Sequence, residues 1–207
     1  IYAFPWHGLN NEGKPVIYQN GELTTDYINY YNDYPIEELT KIGGRIPTLT
    51  AGMLNTFRWK HWSVSANIVW KSGYFFQRTT MDPGGETTGA YHKDYYRRWQ
   101  KPGDEAFTDV LPKAPANSPE IRAIGSMTAN SSLLWERGDH LRLRDITLSY
   151  HWINKNRAAV VKSVNFGWSM ANIGIIWRRN KYGLDPDIPM APYPNPRITS
   201  FSMNIEL

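Results

Sequence analysis

Trp62-Ser-Val-Ser-Ala-Asn-Ile-Val-Trp70 places Trp62, Val64, Ala66, Ile68 and Trp70 on one side of an extended chain, with Ser63, Ser65, Asn67 and Lys71 on the other. Side chains alternate faces along a strand, so the stretch reads as a two-faced β-strand. Its two tryptophans stand about 26 Å apart at roughly 3.3 Å per residue. That is close to the height of the apolar band, bounded by aromatic girdles, through which a transmembrane β-strand meets lipid. A soluble sandwich strand with an inward tryptophan pair would show the same pattern, so this stretch alone leaves both architectures open.

Four further segments alternate in the same way. Leu49, Ala51, Met53, Phe57 and Trp59 share one side, interrupted by Asn55; Ile146, Leu148, Tyr150 and Trp152 share another. Val164, Phe166, Trp168 and Met170 follow, and then Phe201, Met203, Ile205 and Leu207. The opposite sides are small or polar, as a watery lumen permits. The expected lipid-facing set is therefore Trp62, Val64, Ile68, Trp70, Ile146, Leu148, Tyr150, Phe166, Trp168, Phe201, Met203, Ile205 and Leu207. Arg142 and Arg144 break the pattern, because they share the parity of Ile146 and Leu148. A charged side chain at mid-membrane costs about 2 to 4 kcal/mol. The strand must either project beyond the outer leaflet there or carry a β-bulge near Asp145.

The fold class expected is all-β, the last antiparallel strands of a large transmembrane β-barrel with long extracellular loops. Strands are expected at about 48–60, 62–74, 139–152, 162–174 and 197–207, joined in a short-long-short-long rhythm. Residues 75–138 and 175–196 are the long outer loops, and 1–47 is an extracellular segment preceding the strands. Outer-membrane barrels alternate short periplasmic turns with long outer loops, whereas a sandwich has no reason to keep that rhythm. The C-terminus then falls on the periplasmic side. Five strands cannot close a wide barrel, and an open edge in hydrocarbon leaves backbone groups unpaired. The chain is therefore expected to be a fragment, a cleavage product or a subunit that pairs with further strands.

Composition narrows the alternatives. Of 207 residues, 41% are hydrophobic and 20% charged, with Trp 9 and Tyr 13, so large rings sit among polar residues and not in long apolar runs. No stretch approaches the roughly 20 apolar residues of a spanning helix, and Ile1 to Gly8 lack the features of a signal peptide. With Cys 0, thiolate catalysis and zinc–thiolate sites are excluded. The net charge of +4 comes from scattered basic residues that no motif gathers onto one face, so nucleic acid is not an expected partner.

Several stretches resemble, in order, the C-terminal part of the SusC/RagA family of TonB-dependent outer-membrane transporters. They are Phe4-Pro-Trp-His-Gly-Leu-Asn10 with Gly13-Lys-Pro15, Gly43-Gly-Arg-Ile-Pro47, Asn55-Thr-Phe-Arg-Trp-Lys60 and Arg98-Trp-Gln-Lys-Pro-Gly-Asp104. Gly138-Asp-His-Leu-Arg-Leu-Arg-Asp-Ile-Thr-Leu-Ser-Tyr150 follows, then Asn172, Trp177 and Tyr182-Gly-Leu-Asp-Pro186. The resemblance implies a 22-stranded barrel with a plugged lumen. It also implies import of oligosaccharides or oligopeptides, a SusD-like surface lipoprotein as partner, and energy from TonB through an N-terminal plug absent from these residues. Outer-membrane lipid and the remaining barrel strands complete the expected partners, and the outer membrane is the expected location.

No enzymatic chemistry is expected. No nucleophile–base motif appears, and Gly43-Gly44 and Gly84-Gly85 lack the strand-to-helix setting of a phosphate loop. His7, His61, His92, His140 and His151 have no metal-ligand spacing. No cofactor is expected; Asp185 and Asp187, flanking Pro186, are weak calcium candidates with no further oxygen cage, and a turn role suits them better. Candidate contacts to solute or lipoprotein are Arg97, Arg98, Trp99, Trp177, Arg178 and Tyr182, since arginine and aromatic rings dominate interface hot spots. They could equally brace the loops, and Arg178, Arg179 and Lys181 could meet outer-leaflet phosphates. The competing function is a soluble or surface-anchored β-sandwich carbohydrate-binding module with tryptophan stacking platforms. A third possibility is a structural barrel piece that imports nothing.

Overall fold

The computed structural model describes residues 1–84, 92–114, 118–156, 160–190 and 193–207. Gly85 of the second glycine pair lies outside the described residues. The chain divides into two compact units, one of residues 1–45 with 75–136, the other of residues 46–74 with 137–207.

The second unit is a five-stranded antiparallel meander: β1 Leu49–Trp59, β2 Trp62–Ser72, β3 His140–Ile153, β4 Ser163–Arg178 and β5 Ile198–Glu206. Spatial order equals chain order, each strand pairing with the next. Lys60 and His61 make the β1–β2 turn, with Lys60 at φ 53° and Trp59 opposite Trp62. At the same end Asn154 N–H donates to the Lys162 carbonyl at 2.8 Å, closing the β3–β4 connection. The long connections leave from the other end, that of Leu49, Ser72 and His140. The sheet does not close on itself: β1 and β5 are its edges, and both are exposed on both faces along their whole length.

The first unit has a core of its own. Helices α1 Tyr27–Asp33 and α2 Pro119–Ala129 pack together, joining Tyr27, Tyr30, Ala123, Ile124 and Met127 with Leu9, Ile17 and Leu111. Local chemistry starts both helices. Asp26 accepts from the Asn29 amide, and Ser118 accepts from the Ile121 amide with Pro119 opening the helix, each satisfying an N-terminal donor. Gly13, at φ +74°, lies against the Trp99 ring, where an added Cβ would come within 2.6 Å of ring carbons. Among the described residues this unit holds both α-helices, and the rest is mainly strand, short 3-10 turns and irregular connection.

Candidate functional site: a two-faced sheet and its ion-paired end

Register assigns every strand residue to a face, because directly paired residues point the same way. One face carries Trp59 and Phe57 of β1, Trp62, Val64, Ile68 and Trp70 of β2, and Ile146, Leu148 and Tyr150 of β3. Phe166 and Trp168 of β4, with Phe201, Met203 and Ile205 of β5, complete it. Leu207 follows β5 with the same parity and is exposed. Phe57 is 71% exposed and Phe201 81%, and the face is open rather than packed under a second sheet of the unit. At about 4.8 Å between strands and 26 Å between its aromatic ends, it covers roughly 600 Å² in projection. Soluble monomers seldom expose an apolar patch beyond about 300–600 Å². Among the described residues of this unit no second sheet covers this face, whereas a sandwich would bury it.

The opposite face is small and polar, with Ser63, Ser65, Asn67, Thr147, Ser149, Asn165, Gly167, Ser200 and Ser202. Asn67 donates to the Asp145 carboxylate at 3.0 Å.

The arginine conflict is resolved by a bulge. Asn67 pairs with Asp145, but the next residue of β2, Ile68, pairs with Leu143, leaving Arg144 as the extra residue. From there Leu143 and Leu141 join Ile68 and Trp70 on the apolar face, while Arg142, opposite Val69, turns to the polar face. β4 answers with its own irregularities, an extra residue between Ala171 and Gly174 and another between Ile175 and Trp177. It therefore runs to Arg178, past the expected end at 174. Trp177 pairs with Leu141 and so stands on the apolar face, while Arg178 pairs with His140 on the polar one.

At this end the polar face carries a dense ion network. Arg142 Nη2 lies 2.5 Å from Asp185 Oδ1 and 3.2 Å from Asp187 Oδ2. Lys71 Nζ donates to Asp187 Oδ1 at 2.8 Å, and His140 Nε2 is 3.5 Å from Asp187 Oδ2. The His140 ring is fully buried, with its Nδ1 2.8 Å from the Gly138 carbonyl and 3.2 Å from the Tyr74 hydroxyl. His140 and Lys71 hold the Asp187 carboxyl well below the usual carboxylate range, against the opposing effect of burial. Arg178 donates to the carbonyls of Gly183 and Leu184, and Asn180 exchanges hydrogen bonds with Leu184. The loop 181–190 is thus latched to the strand ends. The latch joins two stretches that carried the family resemblance, around Asp139-His140-Leu141-Arg142 and Tyr182-Gly183-Leu184-Asp185-Pro186.

The sequence-derived contact residues separate into distinct settings. Arg97 ends a 3-10 turn, Lys93–Arg97, with its guanidinium 3.9 Å from Asp94. Arg98 lies over the Tyr95 ring at 4.0 Å and donates to the Tyr95 carbonyl. Trp99 donates to Glu105 at 3.0 Å and packs against the first unit's core. These two brace their own unit. Trp177 marks the end of the apolar face nearest His140, Arg178 caps the loop, and Tyr182 is half-buried within that loop. Asp185 and Asp187 face guanidinium, ammonium and imidazole groups, a cationic setting that repels a dication. Among the described residues no cluster of His, Asp or Glu has the form of a metal site. Sequence reasoning did not single out Lys71, Asp139, His140 or Arg142 as loop anchors. The available signal was the parity break at Arg142 and Arg144.

An antiparallel meander with one open apolar face girdled by aromatics and one small, polar face is the class of sheet from which membrane β-barrels are built. The chain is similar to solved structures of the RagAB peptide importer. In the open-open state the TM-score is 0.69 at 18% identity, covering 100% of this chain and 22% of the importer chain. A second RagAB structure gives 0.62 at 21% identity, over 90% of this chain and 20% of that one. The closed-closed state gives 0.61 at 19%, over 86% and 19%. The chain therefore spans about a fifth of the proteins it matches. No protein-family model matches it, and no curated protein does.

Proposed function

We propose that the chain forms part of the wall and the outer surface of an outer-membrane importer resembling the SusC/RagA class. The observation that carries this reading is the open apolar face, about 26 Å between its aromatic ends, on a sheet with two unpaired edges. The fold likeness to the RagAB chains supports it over the full length of this chain. On this proposal the meander faces lipid with its apolar side and a polar lumen with the other, and further strands pair with β1 and β5. Both pieces of the first unit, 1–45 and 75–136, then lie outside the cell, and so does the latched loop. The import task needs reversible binding of a polar solute and no acid–base chemistry. A SusD-like lipoprotein is the partner proposed for the outer surface, and TonB the energy source. The neighbours being peptide importers favours oligopeptides over oligosaccharides as cargo.

The test is uptake in the source cells with and without the full-length protein, using labelled oligopeptides and oligosaccharides in parallel. Loss of oligopeptide uptake on deletion, abolished equally by collapsing the proton gradient in the parent, is the expected result. Unchanged uptake of both would overturn the import reading, and a full-length protein recovered in the soluble fraction would overturn the membrane reading with it.

A further inference from the structure

Where the apolar face ends, the second unit has a cleft of about 540 Å³ that takes no part in the loop latch. Trp70, Leu141 and Trp177 make its apolar wall, and Arg137 and Arg179 stand with Asp139 at its polar side. All three wall residues belong to the apolar face by register. The cleft is therefore continuous with the surface assigned to lipid, at the end where Trp70 and Trp177 flank Leu141.

The two guanidiniums are organised in advance. Arg137 Nη2 lies 3.1 Å from Asp139 Oδ2 and Arg179 Nη1 3.4 Å from the same oxygen. The other oxygen of Asp139 accepts the Gly73 amide at 2.8 Å, and the Arg179 amide donates to the Asp139 carbonyl. Asp139 is almost wholly buried, whereas the Arg137 and Arg179 side chains are 43% and 56% exposed. One buried carboxylate at the cleft's polar side thus positions two exposed cations, which leave that side with a net positive charge. Guanidinium groups bind phosphate oxygens through parallel N–H donors, and positions fixed beforehand spend less entropy on doing so.

We propose that this cleft receives the phosphate of an outer-leaflet lipid head group, with the lipid's chains lying along Trp70, Leu141 and Trp177. The proposal rests on the membrane reading above. Charge complementarity and continuity with the apolar face select a phosphorylated lipid as occupant: a free anion would leave the tryptophan wall unused, and an uncharged lipid would leave the arginine pair unused.

The experiment uses the full-length protein in nanodiscs of a zwitterionic lipid doped with a small fraction of a phosphomonoester-bearing lipid. Bound lipid is counted by native mass spectrometry after gentle release. Wild type is expected to retain the phosphomonoester lipid above its bulk fraction. Arg179→Glu should lower that retention about fivefold or more, by the usual contribution of one basic side chain at a charged membrane surface, and Trp177→Ala should lower it too by removing apolar wall against the lipid chains. Lys181→Glu makes the same charge change outside the cleft and should leave retention unchanged. Inorganic phosphate at millimolar concentration should not displace the lipid. Equal retention by wild type and Arg179→Glu would overturn the proposal, and so would displacement by inorganic phosphate or equal loss in Lys181→Glu. Heat-modifiable migration on gels reports folding for each variant. A wild type that never enters the nanodisc refutes the membrane reading itself, a different failure from an inserted protein that shows no lipid preference.

Discussion

Ile146 lies opposite Ala66, midway between Trp62 and Trp70, with Thr147 beside it pointing to the other face opposite Ser65. Replacing each by arginine therefore tests the face assignment at one height. Four residues separate Ala66 from either tryptophan, about 13 Å along the strand, which puts Ile146 near the midplane of the apolar band. Arginine at that depth on a lipid-facing position costs about 2 to 4 kcal/mol, a roughly 30- to 900-fold change in the folding equilibrium. Thr147→Arg enters a polar environment, where the cost is expected to stay below about 1 kcal/mol. The assay is denaturant titration of the full-length protein folded into phospholipid vesicles, followed by tryptophan fluorescence and heat-modifiable migration. In water a half-exposed isoleucine could be exchanged for arginine with little loss, so the contrast between the two variants carries the test. Equal midpoints for Ile146→Arg and Thr147→Arg, or a larger loss for Thr147→Arg, would refute the assignment of faces.

Asp187→Asn should loosen the 181–190 loop, raising amide hydrogen exchange at Leu184 and Ile188 about tenfold or more, since hydrogen bonds to charged groups contribute about 1.5 to 3 kcal/mol. The Asp187 carboxyl is depressed in the folded state, so its contribution is complete above the unfolded value near pH 4 and fades as the pH falls through the folded value. Acidification below about pH 4 should therefore release the loop in wild type but change little in Asp187→Asn, as read by Trp177-dependent fluorescence. Gly13→Ala demands a left-handed backbone from alanine and drives its Cβ into the Trp99 ring. It should cost more than about 1 kcal/mol and expose the first unit to limited proteolysis, with the second unit's resistance unchanged. Deleting Arg144 removes the extra residue yet leaves Leu143 and Leu141 opposite Ile68 and Trp70 and Arg142 opposite Val69, so the full-length protein should still appear in the outer membrane, and its loss from that membrane would refute the assignment of Arg144 as the bulge. Substituting Arg144 by serine keeps the extra residue and should preserve insertion.

The meander was legible because its period is two and its faces differ sharply in chemistry. Trp62 to Trp70 and Phe201 to Ile205 alternate without a break, so each strand could be phased from its own residues. The first unit was not read as a folded body, because its core is assembled from short pieces distant in sequence, with Tyr27 and Tyr30 meeting Ala123 and Met127. Those tyrosines sit in a polar stretch that gives no apolar period. The start of α2 did carry a local sign, Ser118 followed by Pro119 and Glu120, a capping residue with proline and an acidic side chain in the first turn. The ion network was hidden for a different reason. Lys71, Arg142 and Asp187 come from three segments, and charge alone does not say which acid meets which base.

The bulge at Arg144 shows what the parity break was for. A strictly alternating β3 would have to choose between extending the apolar face and holding the loop, because Leu141 and Leu143 occupy one parity and Arg142 and His140 the other. Phased from Ile146, that choice places both arginine side chains, and the buried histidine, on the apolar side. One extra residue reverses the phase, so Leu141 and Leu143 continue the face of Ile146 while Arg142 and His140 turn to Asp185 and Asp187. β4 makes the matching correction at Ile176, which carries Trp177 to the apolar face beside Trp70 and turns Arg178 to the loop carbonyls. A bulge is left unpaired and bends its strand, a cost that regular pairing avoids. Here it falls on adjacent strands at the end where apolar surface gives way to charge. The irregular residues therefore mark a boundary in the surroundings of the sheet, and on the membrane reading that boundary is the outer interface.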